Sequence, residues 1–94
     1  MFSRMNITTN GDKEWRGEDG KRHREGAPAI ECANGDKLWL LNGKLHRIDG
    51  PTIEYANGNK SWYLNGVCLT IGDWIRQTDG LTEEEKVMFK LKYG

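Results

Sequence analysis

The chain is poor in several things at once. No apolar stretch approaches a transmembrane span, and the N-terminal MFSRMNITTNGDKEW holds no apolar core of signal-peptide length, so a cytoplasmic protein is expected. The only cysteines are Cys32 and Cys68, and in that compartment they are expected as reduced thiols. Net charge is missing too: 14 basic residues cancel 14 acidic ones. They also cancel locally, with six basic and six acidic in 1–33, four and three in 34–69, and four and five in 70–94. No segment has the sign asymmetry of a nucleic-acid or anionic-membrane binder. The two histidines come without CxxC, HxxxH or a third ligand at a fixed offset, and no Gly-Lys-Ser/Thr follows a glycine-rich loop. Neither a metal nor another cofactor is expected.

Aliphatic residues are few, and a 94-residue chain buries only roughly 60 to 65% of its unfolded surface. Four Trp, three Tyr and two Phe compensate. Together with 12 Gly and two Pro they describe a turn-dense β chain of one domain, not a disordered one.

What is present in quantity is a repeat. Asn34 to Ala56 reads NGDKLWLLNGKLHRIDGPTIEYA; Asn10 to Ala33 before it and Asn57 onward after it are edited copies. The copies begin at Asn10, Asn34 and Asn57, and a period of 23 or 24 residues signals units that stack on one another. Hairpin repeats are expected over 6–33, 34–56 and 57–69. Five Asn-Gly pairs punctuate them, the strongest short hairpin signal because both central residues of a type I′ turn need positive φ. Counted outward from two-residue turns, Ile30 opposes Trp39, Trp39 opposes His46, Ile53 opposes Trp62 and Trp62 opposes Leu69. Ile30, Trp39, His46, Ile53, Trp62 and Leu69 are thus the expected repeat core, with Leu38, Leu40, Leu45, Tyr63 and Cys68 on the other face. Gly17 adds a residue to the first unit, and Leu69 replaces the histidine in the last.

From Thr70 the periodicity becomes helical. Thr70 with Asp73, and Thr82 with Glu85, resemble capping boxes, and Glu83, Glu84, Lys90 and Lys92 suit the dipole of the second helix. Val87, Met88 and Leu91 fall on one side of it. The expected fold is a mostly β, three-hairpin antiparallel meander, with residues 70–94 as a cap of one or two helices lying against an open end or face of the sheet.

The strings WLLNGKLHRIDGPTIEYANG and SWYLNG resemble the MORN-like repeat of large viruses and tailed phages, typically WYLNGKLHREDGPAIEYANGDK. The resemblance covers 10–69; HREGAPA at 23–29 shifts the Asp-Gly of HRxDGP, and the third copy lacks His-Arg. It implies a β-hairpin array used for binding, encoded by a phage or prophage, with a host protein as partner. Host takeover or anti-defence, for example as an anti-CRISPR inhibitor, is the role it implies.

The residues with chemistry in them each have a plain structural alternative. His46-Arg47-Ile48-Asp49-Gly50-Pro51 and its counterpart at 23–28 present donors that suit an acidic partner, yet recurrence at the repeat period favours a role in stacking. Cys32 and Cys68 lie mid-strand without a histidine at catalytic spacing, and Glu31 and Glu54, one repeat apart, fit a solvated ladder better than an acid/base pair. Lys21-Arg22-His23-Arg24 is a basic run flanked by Glu18, Asp19 and Glu25, so its field is small. Trp15, Trp39 and Trp62 can stack bases, but core use comes first in so thin a protein. The expectation is therefore a non-enzymatic protein-binding module with Arg24, Leu38, Leu40, Arg47 and Tyr63 as candidate contacts, and with a homodimer left open. Nucleic-acid or anionic-lipid binding through Lys21 to Arg24 is the first alternative, a small hydrolase the second.

Overall fold

Five Asn-Gly pairs build two kinds of turn. At Asn42-Gly43 both residues have positive φ, 52° and 80°, and Asn65-Gly66 repeats this at 50° and 83°. These are the expected two-residue reversals. At Asn10-Gly11, Asn34-Gly35 and Asn57-Gly58 only the glycine is left-handed, at 90°, 102° and 91°. There the loop has three residues: Cys32 N–H donates to Asp36 O at 2.8 Å and Gly35 N–H to Cys32 O at 2.9 Å, with the same pair of bonds at Thr8 and Tyr55. This is a type I turn closed by a glycine bulge.

The computed structural model describes residues 3–93. Met1 and Phe2, part of the segment weighed for a signal peptide, and Gly94, the end of the expected cap, lie outside the described residues. The elements are β1 (Arg4–Ile7), β2 (Lys13–Arg16), β3 (Ile30–Glu31), β4 (Lys37–Leu38), β5 (Leu40–Leu41), β6 (Lys44–Leu45), β7 (Ile53–Glu54), β8 (Lys60–Leu64), β9 (Val67–Leu69), α1 (Ile71–Gln77) and α2 (Glu83–Tyr93). Strands pair antiparallel in the order β1-β2-β3-β4-β7-β8-β9, and β5 with β6 forms a separate two-stranded sheet. The protein is thus mostly β, a seven-stranded meander with two C-terminal helices.

The bulged turns move the register by one residue from the two-residue count. Ile30 opposes Leu38 and Ile53 opposes Ser61, not Trp39 and Trp62. The second hairpins keep the expected pairing: His46 N–H donates to Trp39 O at 3.1 Å, and Trp62 opposes Leu69. One consequence is a row that crosses five strands with alternating charge, Lys13, Glu31, Lys37, Glu54 and Lys60, each pair directly opposed and favourable. A second consequence concerns Leu40, a candidate contact expected on the face opposite the repeat core. It is only 7% exposed and belongs to the core with Ala29, Ile53, Trp62, Trp74 and Ile75. In the shifted register Leu38 opposes Ile30 and the buried Ile53, so Leu40, two residues on, falls on the side of Ile53 and not on the opposite one.

Side chains that recur at the repeat period close and join the units. Asp12 Oδ1 accepts from Ala33 N–H at 2.8 Å and Asp36 Oδ1 from Ala56 N–H at 2.7 Å. At the other end of each unit, His23 Nδ1 accepts from Asn42 N–H at 2.9 Å and His46 Nδ1 from Asn65 N–H at 3.0 Å. In the first two units the histidine bonds run to a turn of the next, a nearest-neighbour architecture, and the aspartate bonds tie the start of each copy to its own last residue. The array is thin: its extents are 40 × 29 × 19 Å, and it exposes 6099 Å² where about 5,500 Å² is usual for this mass.

Both helices start as the capping patterns predict. Thr70 Oγ1 accepts from Asp73 N–H at 3.2 Å, while Thr82 and Glu85 bond reciprocally at 3.0 and 3.1 Å. Trp74 and Ile75 are buried on Trp62, with Phe89 and Tyr93 packed beside them. The side of α2 that meets the sheet is thus the aromatic one, and Val87, Met88 and Leu91 face outward.

Candidate functional site

The His-Arg-x-Asp-Gly-Pro element is best understood from what its arginine touches. Arg47 lies over the Trp39 ring, guanidinium carbon 3.8 Å from the centroid. Its Nε–H donates to Asp49 Oδ1 at 2.7 Å, and its terminal nitrogen donates to Pro51 O at 2.9 Å and Glu54 Oε2 at 3.1 Å. A planar fork stacked on indole meets this set of acceptors; a point charge does not. Gly50 makes room for it, since a Cβ there would stand 2.8 Å from the guanidinium carbon. Most letters of the motif thus have a physical reason: His clasps the next turn, Arg covers Trp, and Asp and Pro accept; the glycine is not required in both units, since Ala27 stands in its place beside the first stack.

The first unit repeats the arrangement more loosely. Arg24 lies 3.8 Å from the Trp15 ring centroid, bonding Pro28 O at 3.2 Å and Glu31 Oε2 at 3.4 Å. Gly26 stands where the second unit has Asp49, so the Nε partner is lost, and the Arg24 side chain is 30% exposed against 18% for Arg47. Glu31 and Glu54, expected as a solvated ladder, keep their places in the cross-strand charge row and also hold these two arginines.

In the third unit Thr70 stands one period after Arg47 and caps α1 instead. The indole of Trp62 is covered by aromatic rings: Trp74 at 4.7 Å between centroids, Tyr93 at 5.2 Å and Phe89 at 6.3 Å. Trp74 Nε1–H donates to Arg47 O at 2.9 Å, tying the cap to the preceding unit. The helices therefore take the place of the next guanidinium, a different outcome from covering one whole face of the sheet.

Of the five candidate contacts, the structure brings together two. Arg24 and Arg47 line a groove of about 280 Å³ between the first and second units, with Trp39, Leu41, His46 and Ile48. Leu40 is buried, whereas Leu38 and Tyr63 are half-buried elsewhere on the sheet. Tyr63 opposes Cys68, and its backbone N–H donates to Thr52 Oγ1 at 2.8 Å. Its hydroxyl is pushed up from the usual range by its hydrogen bond with Cys68 and by burial. The exposed Ile48 was not among the candidates, though a signal for it exists: the resembled repeat has Glu at that place and this chain has Glu25 one unit earlier.

Other chemistry is weakly supported by this geometry. Burial, then Asp12 and Asp36, push the Cys32 thiol up, the opposite of an activated nucleophile. Among the described residues, no group of three His, Cys, Asp or Glu side chains is arranged to hold a metal ion. Nor, among them, is any helix long and apolar enough to cross a membrane. In the basic run, His23 is buried with its Nδ1 engaged, and Arg22 and Arg24 each face a carboxylate, Glu14 at 3.5 Å and Glu31 at 3.4 Å. Compared with known proteins, the chain matches no family model, no curated protein and no solved structure.

Proposed function

We propose that this chain is a non-enzymatic protein-binding module whose contact surface is the groove between the first two Arg-Trp elements. The observation that carries the reading is Ile48, an exposed aliphatic side chain at the rim of that groove, beside a half-buried Trp39. Around it Nε and one terminal nitrogen of Arg47 and the Nδ1 of His46 are already engaged within the fold. These bonded groups hold the groove's shape, and Ile48 is the apolar anchor on a rim that also carries the exposed carboxylates of Glu25 and Asp49. Repeat arrays commonly bind through such surfaces between units. The resemblance to MORN-like phage repeats supports a phage-encoded inhibitor acting in the host cytoplasm, by occluding a host protein.

Affinity capture from a bacterial host lysate tests this. Ile48→Asp is expected to lose the captured protein at least about tenfold, because a carboxylate at the rim must be desolvated on binding, whereas Leu38→Ala with Tyr63→Ala keeps it. Loss with the second pair and retention with the first would move the site to the other face. A binding constant falling steeply with salt would favour the nucleic-acid or anionic-lipid alternative through Lys21 to Arg24.

A further inference from the structure

Helix α2 is apolar on two opposite sides, and only one of them is used. Phe89 and Tyr93 pack on Trp62 and Trp74. At 100° per residue Val87, Met88 and Leu91 lie across the helix from them, exposed by 55, 66 and 82%. A surface helix normally turns a polar face outward, so an apolar outer stripe marks a contact.

The charges bordering the stripe indicate its occupant. Glu83, Glu84 and Glu85 fill the first turn; Lys90 and Lys92 fill the last. This separation suits the helix dipole, and it also makes the face self-complementary when a second α2 runs the other way. A two-fold axis near Met88 brings Val87, Met88 and Leu91 of both copies together and sets Glu83 and Glu84 of each against Lys90 and Lys92 of the other. A parallel pair would oppose like charges at both ends. We propose that the outer face of α2 is a homodimer seam closed by an antiparallel second copy. The proposal is independent of the groove at Ile48, which lies outside this stripe.

The helix is about 16 Å long, and three side chains per copy with their flanking charges bury less than the about 1,200 Å² of a stable interface. The pair is therefore weak, and forms over about 10 to 500 μM. Sedimentation velocity over that range is expected to show reversible dimers, shifted at least about tenfold to higher concentration by Met88→Glu. Charge variants taken singly separate the orientations: each removes the attractions of an antiparallel pair, whereas a parallel pair, already opposing like charges, would dimerise as before. The double variant Glu83→Lys/Glu84→Lys and the double variant Lys90→Glu/Lys92→Glu are each expected to stay monomeric, and their equimolar mixture to dimerise. Circular dichroism of each variant, together with recovery in the mixture, shows that both still fold. A wild-type chain monomeric at 500 μM would overturn the proposal and leave the stripe to another protein. So would dimers that persist in Met88→Glu, or a mixture that stays monomeric.

Discussion

Replacing Arg47 by lysine keeps the charge and removes the planar fork, so it isolates what the stack on Trp39 contributes. Three acceptors and one ring are at stake, and they are not equal. Asp49 is 74% exposed, so its pair with Nε adds little in water. The bond to Pro51 O is worth about 1 kcal/mol, the guanidinium over indole about 0.5 to 1 kcal/mol, and the partly exposed Glu54 a few tenths more. Arg47→Lys is therefore expected to cost about 2 kcal/mol, or about 8 to 16 °C in Tm for a domain of this size. Arg24→Lys should cost about half as much, because its bonds to Pro28 O and Glu31 are longer and its side chain is more exposed. Urea unfolding followed by far-UV circular dichroism gives both values, with unchanged slope if the compact state is preserved. Equal losses, Arg24→Lys the worse of the two, or a change below about 0.5 kcal/mol for Arg47→Lys would refute the idea that the fork, and not its charge, secures the unit.

Other substitutions probe the remaining contacts. His23→Leu fills the space but leaves Asn42 N–H without its acceptor, and should destabilise by about 1 to 3 kcal/mol in thermal melts, while His23→Asn, which offers an amide oxygen, recovers part of the loss. Gly35→Ala is expected to cost about 1 to 3 kcal/mol, since φ is 102° and the new methyl meets Ala56 Cβ at 3.3 Å; Gly58→Ala, with open space at φ 91°, should cost less. The hydrogen bond from Arg16, with the charges of Arg16 and Arg22, holds the Glu14 carboxyl below its ordinary range despite burial. Its contribution is present above the unfolded carboxyl range and is lost as pH falls through the depressed folded value. The stability difference between wild type and Glu14→Gln in urea titrations should therefore shrink on acidification from pH 7 toward pH 3.

The motif's chemistry was only partly legible before folding. The recurrence of His-Arg at the repeat period already favoured a structural role, and the cross-unit bond from His23 to Asn42 shows which role that is. That Glu31 and Glu54 reach back to the arginines was hidden, because the contact spans seven residues and depends on the bulged register. Ile48 is not among the candidates read from the sequence, and only its contrast with Glu25 one unit earlier marks it.

The repeat period, the two capped helices and the β-hairpin class follow from local chemistry: Asn-Gly needs positive φ, and Thr and Glu satisfy the free N–H groups of a helix start. Such signals act within a few residues, so they are readable in a string. Which residues share a face was decided by the tertiary structure. A glycine bulge shifts each long hairpin by one and so brings Leu40 to the side of the buried Ile53, and Trp62 and Trp74 select the aromatic side of α2 over its aliphatic one. The reason is that turn type and helix rotation differ by little in local energy, and packing between distant segments settles the choice.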